Sequence, residues 1–180
     1  MTHAASLADK IAFVMKTKII SALALLIALA PLLHSGLVSY GDVAWHLRWM
    51  RAFYEGLAQG QWWPIWLSDS DFGLGAPLFG FYAPGSFWLA AILQALGLPV
   101  LVAYKCVLGL GMALLIGAGW RANPRFGPWA MLMPAAFLGY WWNAPAGALG
   151  AGCAALAWLF WCDKRLKLAA TLAFGCIACH

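Results

Sequence analysis

Apolar residues fill this chain in blocks longer than a soluble core needs. The first block, Ile19 to Val38, holds 20 residues without a charge. At ~1.5 Å per residue that is enough to cross a hydrocarbon layer of ~30 Å. Met1 to Lys18 precede it as a basic leader carrying Lys10, Lys16 and Lys18. The block is long for the apolar core of a cleaved signal peptide, so a retained spanning helix is expected. Further blocks follow at Pro99–Trp120, Phe126–Trp142, Ala146–Cys162 and Leu168–His180. The pattern predicts an all-α fold, a polytopic transmembrane bundle of about five spanning helices. Residues 1–18 form its cytoplasmic leader and 19–180 a single transmembrane domain. The last block, 13 residues long, is too short to span, so the chain is expected to be the N-terminal portion of a larger protein.

Between Ser39 and Leu98 the pattern changes. Val43, Leu47, Met50, Tyr54 and Leu57 recur at spacings of three and four, while Arg48, Arg51 and Glu55 mark a polar stripe. This predicts an amphipathic helix over Asp42–Gln59, lying along the membrane surface and ended by Gly60. Trp62, Trp63 and Trp66 suit an interfacial anchor. The apolar stretch Leu78–Leu98 is interrupted by Pro84 and Gly85, so it is either a broken spanning helix or an element that dips in from the outer face. Charge decides between them. If the stretch crosses, the basic pairs and triplets at Arg121/Arg125 and Lys164/Arg165/Lys167 fall outside, against the positive-inside rule. If it only dips, both fall inside with the N-terminus. The expected topology is therefore N-terminus cytoplasmic, with about residues 39–98 forming a long extracytoplasmic first loop.

Composition agrees. Hydrophobic residues make up 64% of the 180 and charged residues 9%, too few charges to coat a soluble globule. A soluble enzyme, a disordered tail and a nucleic-acid binder are excluded, and the net charge of +5 belongs to loops that orient helices. Membrane lipids are the expected surroundings. The five cysteines lie in or beside apolar runs, where Cys behaves as a small hydrophobe.

Few residues in such a chain can carry chemistry. Asp42 stands just beyond the first apolar block, and on a helix starting there His46, Trp49 and Phe53 share its face. A carboxylate beside an imidazole and aromatic rings suits a general base acting on a hydroxyl, with the rings holding a sugar or isoprenoid. An Asp before a helix is also a favoured N-cap, which needs no catalytic role. Lys105, six residues into its block, fits either a phosphate contact or snorkelling to the headgroups. Arg48 and Arg51 are alternative phosphate contacts, although Arg51 with Glu55 is an ordinary i,i+4 pair. Asp69-Ser70-Asp71 has metal-binding form, but two acids beside Gly73 are more often turn formers. Cys176-Ile-Ala-Cys179-His180 matches a haem-attachment pattern without a domain to enclose a haem. No metal or cofactor is assigned.

Three runs carry a resemblance: Gly41-Asp42-Val-Ala-Trp45-His46-Leu-Arg48, Gly60-Gln-Trp-Trp-Pro64-Ile-Trp66, and Gly73-Leu-Gly75-Ala-Pro77-Leu-Phe-Gly-Phe81-Tyr82-Ala-Pro84. Together they resemble the first extracytoplasmic loop of GT-C-type glycosyltransferases. The likeness is nearest to bacterial membrane proteins labelled "6-pyruvoyl-tetrahydropterin synthase-related". The resemblance implies an inverting transferase that moves a sugar from a polyprenyl-phosphate donor to an extracytoplasmic acceptor. In it Asp42 would be the base, with His46 orienting it. Trp45, Trp49, Tyr82, Arg48 and Lys105 would line the donor site. The competing expectation is a non-catalytic multispanning protein, a remnant or a partner subunit that works with another membrane protein.

Overall fold

The computed structural model describes residues 7–36, 42–68, 73–82, 84–122 and 145–179. Six α-helices are found there: α1 Leu7–Leu29, α2 Val43–Ala58, α3 Gly85–Ala95, α4 Val100–Ala122, α5 Pro145–Cys162 and α6 Leu166–Cys179. The all-α expectation holds. Among the described residues the only β-pairing is one isolated bridge, Leu67 to Ala76. Among the described residues one helix, α4, is long and apolar enough to cross a membrane, by length and composition. The apolar helices Gly85–Ala95, Ala148–Cys162 and Leu166–Ile177 are shorter. The crossing expected at Phe126–Trp142 lies outside the described residues.

The first helix differs from its expected bounds. It begins at Leu7, so Lys10, Lys16 and Lys18 ride on a helix rather than on a separate leader. The stretch from Leu7 to Lys18 contains neither Gly nor Pro, and nothing in it stops a helix. At the other end α-geometry stops at Leu29 and tightens into a 3₁₀ turn, Ala30–Leu33. Pro31 explains the stop, because a proline disfavours α-geometry in the residue before it and removes a donor.

Three helix ends close in the same way. The N–H groups of Gly60, Gly97 and Lys164 reach back three residues, and those of Gln61, Leu98 and Arg165 reach back five. This is the Schellman pattern, which requires a left-handed residue just past the helix. Gly60 and Gly97 supply it at φ +86° and +91°, and Gly60 ends α2 as expected. Lys164 supplies it at φ 58°, where an L-residue pays roughly 1–2 kcal/mol.

The Leu78–Leu98 stretch does not form one helix. A 3₁₀ turn at Leu78–Gly80 and Pro84 precede α3, which is 11 residues long. That is about 16 Å, half a hydrocarbon layer. After the Gly97 turn the chain enters α4 at Val100, and α3 packs back against α2 and α4.

Backbone contact sets how α4 and α5 meet. A Cβ on Gly111 would lie 2.6 Å from Ala148 C and Leu149 N, and one on Gly152 would lie 2.8 Å from Gly111 O. Further along, Arg121 is ion-paired with Asp163 and lies over the Phe160 ring. Residue numbers rise together on both helices, so α4 and α5 run parallel. Their C-terminal ends share one side. By contrast α6 returns antiparallel to α5, with Gly175 beside Cys153.

Two substitutions test this packing. Gly111→Ala should force α4 and α5 apart and cost about 1–3 kcal/mol, the usual range for overpacking. Gly117→Ala, whose added Cβ meets nothing within 4 Å, should be neutral or raise stability by up to about 1 kcal/mol through helix propensity. Thermal unfolding in detergent compares the two; equal melting temperatures would show that the close approach does not matter.

Candidate functional site

The site forms where α2 starts. Helix α2 is amphipathic as expected, but its buried stripe is Val43, His46, Met50, Phe53 and Gly56. Leu47, Tyr54 and Leu57 flank that stripe half-buried. The face is therefore turned by about one position from the one that hydrophobicity favoured. It is roofed by α3, α4 and Phe79. Phe53 meets Phe79 edge-on at 4.9 Å between centroids and Trp88 at 5.7 Å, and Phe79 meets Phe87 at 4.9 Å. Gln94 closes the other end of the seam, donating to Met50 O at 3.3 Å.

With Phe53 held inward, His46, two turns earlier, is carried inward too. The imidazole is 7% exposed and packs edge-on against Trp49 at 5.2 Å. Trp49 continues to Tyr82 at 5.4 Å and to Trp45 at 6.4 Å. Trp45 and Tyr82, 52% and 45% exposed, extend this sheet of rings to the surface. His46, Trp45, Trp49 and Tyr82 thus come together.

Asp42 occupies the cap position, and its carbonyl accepts from His46 N at 3.0 Å. Its side chain makes no capping hydrogen bond and is exposed. The carboxylate is therefore open to other use. Burial pushes the His46 imidazole below its ordinary value of 6.5, and the Asp42 charge pulls it partly back. His46 Nδ1 and Ser86 Oγ are buried without a hydrogen-bond partner among the described residues.

No family model, curated protein or solved structure matches the chain.

Lys105 has a protein partner. Its ammonium donates to the carbonyl of His34, at the end of the turn that closes α1. Arg48 is exposed on the outer side of α2. Arg51 and Glu55 form the expected i,i+4 pair at 2.7 Å, which raises the Arg51 pKa. Asp69-Ser70-Asp71 has both acids outside the described residues, as is His180 of the haem-like motif, so neither pattern is placed.

Sequence reasoning missed one polar hollow. Glu55, Gln59, Gln61 and Ser68 line a cavity of ≈ 90 Å³ beside Trp66 and Pro64. Its shape depends on Gly56, where a Cβ would lie 2.7 Å from Pro64. The Gly-x-x-x-Gly-x-x-x-Pro spacing of 56, 60 and 64 was its available signal.

A buried His held below its ordinary pKa resists protonation in the fold. Its contribution to stability is complete above about pH 6.5, the unfolded value, and is lost as pH falls from there toward the folded pKa. Melting temperature should therefore drop between pH 7.5 and pH 5, and His46→Gln should flatten that drop. A wild-type and variant pair with parallel pH profiles would contradict it.

Proposed function

We propose that this chain carries the base-bearing outer unit of a multispanning GT-C-type transferase. It would pass a sugar from a polyprenyl-phosphate donor to an acceptor hydroxyl outside the membrane. The observation that carries the reading is Asp42: it sits at the head of α2 with a carboxylate not used for capping, at the edge of the Trp45–Trp49–Tyr82 rings. In the reaction Asp42 takes the proton of the acceptor hydroxyl. The freed oxygen attacks the anomeric carbon, and the bond from that carbon to the phosphate oxygen breaks. Polyprenyl phosphate leaves with the electron pair, and the anomeric centre inverts. The rings offer apolar faces to sugar and isoprenoid, and His46 holds the α2 face beneath them. Lys105, donating to His34, positions the end of α1 in this scheme rather than meeting the donor phosphate.

The membrane arrangement is part of the proposal: N-terminus inside, several crossings, and α2–α3 outside in the bacterial inner membrane. The parallel run of α4 and α5 supports it, because it gathers Arg121 and the Lys164–Lys167 cluster at one end of the bundle. A second reading, a non-catalytic membrane subunit, draws on the engagement of Lys105 with His34 and the burial of His46.

Asp42→Asn separates these readings. Loss of a base should lower transfer from a polyprenyl-phosphate sugar by about 10²–10⁴-fold. Melting temperature should not change, since no cap bond is lost. Unchanged transfer would remove Asp42 from the chemistry, and absent transfer in the wild type would favour the non-catalytic subunit. For topology, in a cysteine-free background, an impermeant thiol reagent should label Gln61→Cys from outside and leave Lys167→Cys unlabelled; the reverse pattern inverts the orientation.

A further inference from the structure

The α5–α6 hairpin carries a second feature that the transfer reaction does not use. Between the two helices runs an apolar groove of ≈ 460 Å³. Ala157, Trp158 and Trp161 line it from α5, and Ala169, Ala173 and Ile177 from α6. Trp158 and Trp161 are 69% and 62% exposed, so its walls stand open to whatever surrounds the hairpin. It follows the C-terminal half of α5, from Ala154 to Trp161, and reaches the turn end at Trp161 and Ala169.

At that end the charge is one-sided. Asp163, the acid of the turn, is paired with Arg121. Lys164, Arg165 and Lys167 are exposed, and no acid lies in the first turn of α6. The opening N–H groups of α6 have no intrahelical acceptors, and the positive end of its dipole faces the same spot. With Lys164 left-handed, three cations and the start of α6 fall within residues 164–167.

We infer that this hairpin binds one anionic diacyl phospholipid, its phosphate at Lys164, Arg165 and Lys167 and an acyl chain in the groove between α5 and α6. The charge complementarity at the groove mouth selects an anionic headgroup. The unbroken apolar lining suits a chain, and paired tryptophans mark the depth where tail meets headgroup. The inference rests on the membrane placement proposed above and not on the transfer chemistry.

Native mass spectrometry of the full chain released from detergent micelles tests it, with phosphatidylglycerol and phosphatidylcholine as probes. The wild type should retain one phosphatidylglycerol and little phosphatidylcholine. Each of Lys164→Gln, Arg165→Gln and Lys167→Gln should weaken retention about fivefold, the weight of one cation near an anionic surface. Ala173→Leu, which fills the groove at an exposed position, should also abolish retention while leaving all three cations. Equal retention of both lipids would overturn the proposal. So would retention that ignores Ala173→Leu, which would mean a headgroup held by charge alone, or a mass of two chains with the groove closed by a second copy. If the chain stays dispersed without detergent or lipid, the membrane placement itself fails, and that result is distinct from all of these.

Discussion

Phe53 controls the site without belonging to it. Its ring is fully buried between Phe79, Phe87 and Trp88, so α2 can turn neither way about its axis without exposing it. Such aromatic pairs contribute about 0.5–1.5 kcal/mol each beyond the area they bury. Truncating a core Phe costs about 3–5 kcal/mol. That is enough to override a polar side chain on the same face. His46 lies two turns from Phe53 and is carried into the interior with it, desolvated and with no partner for Nδ1 among the described residues. The same rotation leaves Trp45 and Asp42 at the rim. The arrangement of Asp42, the His46 imidazole and the rings thus follows from packing centred on Phe53, two turns further along α2 than His46.

This explains what could and could not be read in the sequence. The helix over α2, its end at Gly60 and the break at Pro84 were legible because periodicity, Gly and Pro act locally. The buried face was legible only in part: Val43 and Met50 are buried as expected, whereas His46, Phe53 and Gly56 take the places expected for Leu47, Tyr54 and Leu57. Hydrophobicity favours Leu47 over His46 and Tyr54 over Phe53's neighbour Gly56, and only the partners across the seam reverse that order. Pro64 and Phe79 from the runs that carry the resemblance are buried, and Gly75 sits at φ +81° against the Trp66 indole. The part of the pattern that looks most specific therefore has a packing reason of its own. The chemical signal within it narrows to Asp42, exposed and uncapped, and to the rings beside it.

The order of the helices in space was hidden for a different reason. Helices α4 and α5 are apolar all round, so no stripe announces which sides meet. Gly111 and Gly152 are two of 19 glycines. Their spacing within each helix carries no cross-reference to the other. Only the absence of a Cβ at both lets backbone meet backbone. Once that contact forms, direction follows: Arg121 and Asp163 can pair only if the two helices run the same way.

Lys105 ties these two halves together. Lys105, six residues into α4, donates to the carbonyl of His34. The end of α1 offers such acceptors, because a helix C-terminus leaves its last carbonyls free. Leu32 rests near Gly109 on the same side, 3.1 Å from where its Cβ would be. The end of α1 is thereby fixed to α4, and α4 is fixed to α2 through Met50, Phe53 and their neighbours in one core. From Gly36 to Asp42 the chain can reach at most about 21 Å, so anchoring one end confines the other. Lys105 need not touch a ligand to matter at the head of α2. Breaking its bond to His34 would loosen the point from which the chain approaches Asp42, while the ring cluster stayed packed.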